Sequence, residues 1–184
     1  MKTNFKQRVL TLAVAAVFAL GASALGVNAY AADGTGTANA TVVRPITITA
    51  SSPNLRFGSF STSAAGQTVK IDTAGARTLT GALGVGTAQN AFGAASFTVG
   101  GEGALTYGIT LPTTTNITTG TALAAETMAT SLFTSNPTGT AGLLSGTAGT
   151  AGTQTLLVGA TITTVAAQVT GIYSGTFTVT VVYN

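Results

Sequence analysis

Short runs rich in Val, Ile, Thr and Phe recur along this chain between clusters of Gly, Ser, Asn and Pro, while the apolar rhythm of an amphipathic helix is nearly absent. β-branched and aromatic side chains suit a pleated, half-buried surface, and the intervening residues suit turns, so the pattern predicts an all-β sandwich or barrel. About nine strands are expected: Thr41–Ala50, Leu55–Ser61, Thr68–Asp72, Arg77–Gly81, Ser96–Val99, Leu105–Leu111, Met128–Phe133, Thr155–Thr164 and Gly171–Tyr183. Alternation is cleanest in the last of these, where Phe177, Val179, Val181 and Tyr183 share one face and Thr176, Thr178 and Thr180 the other. Only Ala122–Met128 has a helical flavour, enough for a turn or two, and Thr113–Thr121 and Thr138–Thr153 read as loops. Gly-Thr-Ala triplets around Gly146–Gly152 are too few to form a flat threonine array, and no long repeat points to a solenoid.

The chain contains no Cys and no His, which removes disulfides, thiolate and imidazole metal sites, thiol catalysis and the commonest general base. Glycine clusters at Gly84-Val85-Gly86 and Gly101-Glu102-Gly103 lack the Gly-Lys-Ser/Thr and following helix of a phosphate loop, and read as hairpin turns. Asp72, Glu102 and Glu126 lie far apart in sequence and read as solvated loop charges rather than an acid/base pair or calcium cage. Serine has no histidine partner, and Ser-x-x-Lys does not occur. The sequence therefore predicts no catalytic residue, no metal site, no cofactor and no enzymatic role. Asn39-Ala40-Thr41 and Asn116-Ile117-Thr118 match a glycosylation sequon that arises readily by chance in a Thr-rich chain.

Basicity is confined to the start. Lys2, Lys6 and Arg8 carry the net charge of +3, while Arg44, Arg56, Lys70 and Arg77 balance Asp33, Asp72, Glu102 and Glu126, so nucleic acid is not an expected partner. The basic stretch precedes an apolar run from Val9 to Leu20 and the small-x-small site Ala29-Tyr30-Ala31, the pattern of a signal peptide cleaved after Ala31. The mature chain then has no membrane span, and one domain is its natural count. Pro45 lacks an N–H and holds Arg44 extended, which divides an N-terminal extension, residues 32–44, from a sandwich domain, residues 45–184. Ala38, Ala40 and Val42 fall on one side of the extension, and Ile46 and Ile48 are assigned to the domain's own core.

The C-terminal register carries the most information. Gly171 stands fourteenth from the end, Phe177, Val179 and Val181 eighth, sixth and fourth, and Tyr183 next to last. This resembles the C-terminal signature of pilus subunits assembled by the chaperone-usher pathway. Over the whole mature chain, Ala40–Ile48 with Leu55-Arg56-Phe57-Gly58, then Leu157–Ile162 and Gly171–Phe177, are similar to the secreted bacterial domain-of-unknown-function family 4402, itself suspected to be pilin-like. The resemblance implies an immunoglobulin-like sandwich lacking one strand, whose last strand borders a groove. A periplasmic chaperone fills the groove until the next subunit's extension replaces it. Gly171, Phe177, Val179, Val181, Tyr183 and Asn184 would then edge the groove, and Ala38, Ala40 and Val42 would enter a neighbour's groove as donor-strand residues. Many pilins join their first two strands by a disulfide, worth about 2–5 kcal/mol, and this chain has no cysteine to do so.

The expected role is thus a structural subunit of a surface fibre, a homopolymer of like subunits assembled by donor-strand complementation with a periplasmic chaperone and an outer-membrane usher. It would be exported, cross the periplasm and end at the cell surface. A monomeric secreted β-sandwich, an adhesin or cell-surface component that completes its own sheet, is the alternative. A small outer-membrane barrel is a lesser one, because few charges remain to line a lumen.

Overall fold

The computed structural model describes residues 31–61, 64–81, 91–120 and 123–184. The signal-peptide segment, apart from Ala31, and the Gly84-Val85-Gly86 cluster lie outside the described residues. The chain divides into two compact units, Met1–Ala40 and Thr41–Asn184. Of the first, residues 31–40 are described and carry neither helix nor strand.

The second unit is all-β, with two antiparallel sheets and no α-helix among the described residues. Ten strands are present among the described residues: β1 (Thr47–Ser51), β2 (Thr68–Ile71), β3 (Arg77–Thr80), β4 (Ala95–Glu102), β5 (Thr106–Thr110), β6 (Thr114–Thr118), β7 (Thr127–Asn136), β8 (Gly142–Leu143), β9 (Ala151–Thr163) and β10 (Thr180–Tyr183). The helical flavour before Met128 amounts to one 3-10 turn, Ala124–Glu126.

β9 is the spine of the larger sheet. One of its edges carries β4, from Glu102↔Ala151 to Ala95↔Val158, and then β2, from Ile71↔Ala160 to Thr68↔Thr163. Its other edge carries β7, with β6 outside it, and β1 and β3 flank β4 and β2. The smaller sheet has the order β10-β5-β8. Neither sheet closes on itself among the described residues, so the architecture is that of a sandwich and not a barrel.

Alternation sorts the side chains. Ala95, Val99, Leu156 and Val158 from the larger sheet meet Tyr107, Val179 and Val181 from the smaller one and its lead-in, with Leu144 beside them, in the main core. A second cluster, Val69, Met128 and Ile162, lies further along β9 and is covered by Phe57, Phe60, Leu79, Ile117 and Tyr173. The opposite face of β1, β4 and β9 aligns Thr49, Thr98 and Thr155 in one row, with Thr47, Gly100 and Thr153 in the next. Hydroxyls keep this face in contact with water in a chain with only 6% charged residues.

Several expectations need correction. Thr113–Thr121 is not a loop: β6 runs through it, paired with β7. Thr138–Thr153 contains β8 and the start of β9. Leu55–Ser61 makes one bridge, Arg56↔Gly93, and otherwise packs Phe57 and Phe60 on the second cluster. β7 continues past Phe133 because a bulge between Ser131 and Thr134, with Leu132 at φ 51°, shifts the alternation by one and returns Phe133 to the core. Gly101-Glu102-Gly103 is not a hairpin turn within one sheet. It ends β4 and carries the chain across to β5 in the other sheet.

Candidate functional site

The C-terminal strand expected from Gly171 to Tyr183 divides into three parts. Ser174 bridges Thr118 of β6 through both backbone hydrogen bonds, 2.9 and 3.0 Å. Gly175 then presses on β6 so closely that a Cβ there would collide with the Asn116 carbonyl oxygen, and only glycine fits. Residues 175–179 have no ladder partner among the described residues, and Thr180–Tyr183 pairs with β5 alone.

Although this segment lacks ladder bonds, its alternate side chains are packed. Phe177 meets Phe97 edge-on at 6.0 Å between ring centroids and Phe133 at 5.3 Å, and Val179 and Val181 are buried in the main core. The result is a stretch of chain held by its side chains while its backbone has no ladder partner among the described residues. Unpaired extended backbone is a template for another strand.

The far end of this segment is closed by polar contacts. The Tyr183 hydroxyl accepts from the Glu102 N–H at 2.7 Å and donates to the Arg44 carbonyl at 2.9 Å, its ring standing over Gly101, where a Cβ would strike it. The Glu102 carboxylate is buried, its side chain 7% exposed. Its Oε2 takes the Arg44 guanidinium at 2.9 Å and the Arg44 N–H at 3.3 Å, and its Oε1 takes the Gly149 N–H. The Gly149 N–H, and after it the Arg44 N–H, hold this carboxyl below the usual carboxylate range; burial works against the lowering and the guanidinium adds to it. Glu102 is therefore not the solvated loop charge that its glycine neighbours suggest. Asp72, by contrast, does sit in the β2–β3 turn, where Oδ1 accepts from the Ala76 N–H at 2.8 Å. Glu126 ends the 3-10 turn.

Phe177, Val179, Val181 and Tyr183 thus all pack in or against the main core, the last two from β10. Asn184 follows, exposed, its N–H on the Thr106 carbonyl at 3.2 Å. Gly171 is not part of this segment: it lies in the loop before it, exposed and beside Thr119, and the close approach expected of it belongs to Gly175. Ala38, Ala40 and Val42 are exposed and belong to no strand, Val42 at 94%. Ile46 and Ile48 pack on the main core. Arg44, read as the end of the extension, is bound to Glu102 and Tyr183. Sequence reasoning missed Arg44, Glu102 and Gly175. The available signal was that Glu102 is one of only four acids in the chain and is flanked by glycines that let neighbours approach it.

Among the described residues no group of three or more His, Cys, Asp or Glu is placed to hold a metal ion, and no helix is long and apolar enough to cross a membrane. Comparison with curated proteins and with solved structures gave no match. The family model described as domain of unknown function (DUF4402) matches residues 46–183, from the residue after Pro45 through Tyr183. That span takes in both sheets, the C-terminal segment and Glu102, Gly149 and Tyr183, though not Arg44, and the chain belongs to the DUF4402 family.

Proposed function

We propose that this chain is an exported structural subunit of a surface fibre, an immunoglobulin-like sandwich short of one strand that is completed by the N-terminal extension of another copy. In this reading the leader ends at Ala31. The extension, with Ala38, Ala40 and Val42 on its inserting side, lies along the edge from Gly175 to Tyr183 of the next subunit. A periplasmic chaperone covers that edge in transit, with basic residues on the Asn184 carboxylate, and an outer-membrane usher passes the subunit to the cell surface. No catalysis is involved.

The observation that carries the proposal is the unpaired backbone of residues 175–179, whose Phe177 and Val179 side chains are nonetheless packed against the core. A chain that completed its own sheet would be expected to pair that backbone. The extension complements it, since Val42 on its inserting side is apolar and remains exposed in the lone chain. Burying Val42 contributes roughly 1.5–3 kcal/mol and each of Ala38 and Ala40 about 0.8 kcal/mol, so this face supplies on the order of 3–5 kcal/mol before ordering costs, to which the main-chain hydrogen bonds of the added strand contribute further.

Size exclusion and electron microscopy of the purified mature chain test the proposal. The expected result is a ladder of oligomers that resists mild denaturant and extends into fibres, with Val42→Asp remaining a folded monomer. A parent chain that stays a clean monomer at every concentration contradicts it and favours the self-completed secreted sandwich.

A further inference from the structure

The domain has two dissimilar ends, set by the direction of β9. At its start, beside Ala151, lie Glu102, Arg44, Tyr183 and the Gly149 loop. Beyond its last residue, Thr163, lie the loop of residues 164–173, Thr119–Gly120 just after β6 and the 3-10 turn with Leu123 before β7. Thirteen strand residues separate the two ends, about 40 Å.

The second end is apolar and held in one shape. Gln168, buried, accepts the Val165 N–H at 3.0 Å and donates to the Thr127 carbonyl at 3.2 Å and to the Tyr173 hydroxyl at 3.0 Å, and that hydroxyl donates to the Val169 carbonyl at 2.6 Å. This braced loop nevertheless turns its apolar side chains outward: Ile172 is 90% exposed, Val165 43% and Val169 39%, with Leu123 at 66% on the adjoining turn. None of these segments contains a Lys or Arg, so nothing there attracts an anionic membrane or a nucleic acid.

The direction of β10 identifies the occupant. The C-terminal segment runs from Ser174, at the apolar end, to Tyr183, at the Arg44 end. Every strand pair among the described residues is antiparallel, and an added strand gains slightly more per residue in that sense. A donor strand antiparallel to β10 finishes at the Ser174 end, and its next residues lead directly into its own Arg44. The donor's Arg44–Glu102 end, whose charges already neutralise each other and which exposes Val43 and Ala148, is therefore brought over the receiver's apolar loops.

We infer that Leu123, Val165, Val169 and Ile172 form a seat for the Arg44–Glu102 end of a second copy, so that subunits stack head to tail with this contact beside the exchanged strand. The inference rests on the strand-exchange reading above. The absence of native cysteine makes its test clean. Mature Ile172→Cys and Ala148→Cys chains are co-assembled and treated with a short bis-maleimide. Linked pairs of the two different variants, formed in assemblies and not in dilute monomer, are expected. Ile172→Asp should slow assembly about tenfold or more and leave the thermal midpoint of the monomer unchanged. Assemblies that form normally and yield only 172-to-172 links, or no link from residue 172, overturn the seat and leave strand exchange standing. Failure of the parent chain to assemble overturns both.

Discussion

Glu102 shows how one side chain acquires a role that its neighbours in sequence do not announce. Its carboxylate gathers the Gly149 N–H, the Arg44 N–H and the Arg44 guanidinium, and its own backbone N–H bonds Tyr183, so four chain segments meet at it. Because its folded-state pKa is lowered, the unfolded chain takes up the proton more readily. The stabilisation is therefore present above the ordinary glutamate value of about 4.3 and is lost as the pH falls through the lower folded value. Thermal unfolding of parent and Glu102→Gln should show the variant less stable at pH 7, with the gap closing progressively in acid. A gap of the same size at every pH would mean that the loss comes from the hydrogen-bond geometry Gln cannot reproduce and that the ionised charge contributes nothing.

At the scale of elements, β9 carries the fold because it pairs on both edges and supplies Leu156, Val158 and Ile162 to both apolar clusters. Leu156, wholly buried, should cost about 2–5 kcal/mol when cut to Ala, whereas Val42→Asp, at a fully solvated position, should change stability by no more than about 0.5 kcal/mol. Denaturant unfolding checks both; a large loss from Val42→Asp would place that residue inside the domain. Alternation made β2, β3, β5, half of β4 and most of β7 and β9 legible from residues alone, since a half-buried strand writes its faces into its sequence. It did not reveal β6, whose Thr114, Thr115 and Thr118 are almost without apolar contrast, nor the bulge at Leu132, which breaks the period within β7. It also overextended the last strand. Phe177 and Val179 alternate as strand residues do, but alternation reports which face a side chain occupies and not whether the backbone beside it has a partner. That difference is where the candidate site lies.

The unit Thr41–Asn184 has a hydroxyl-covered outer sheet face, an apolar loop end, a charge-paired end and one segment where packed side chains outrun paired backbone. Of the candidate site, the apolar register at Phe177, Val179, Val181 and Tyr183 was legible because it lies within one strand period. Arg44, Glu102 and Gly149 were not, since they are 58 and 47 residues apart in sequence and meet only through the register of β4 with β9 and the loop beyond. The central claim is that the backbone of residues 175–179 awaits a strand, and amide hydrogen exchange reads it directly. In the lone mature monomer these amides should exchange quickly, while those of Leu156 and Val158 in β9 are protected. On addition of a peptide of residues 32–44, or on assembly, protection should appear along Gly175–Val181. Slow exchange of residues 175–179 in the lone monomer, unchanged by the peptide or by assembly, would contradict the account.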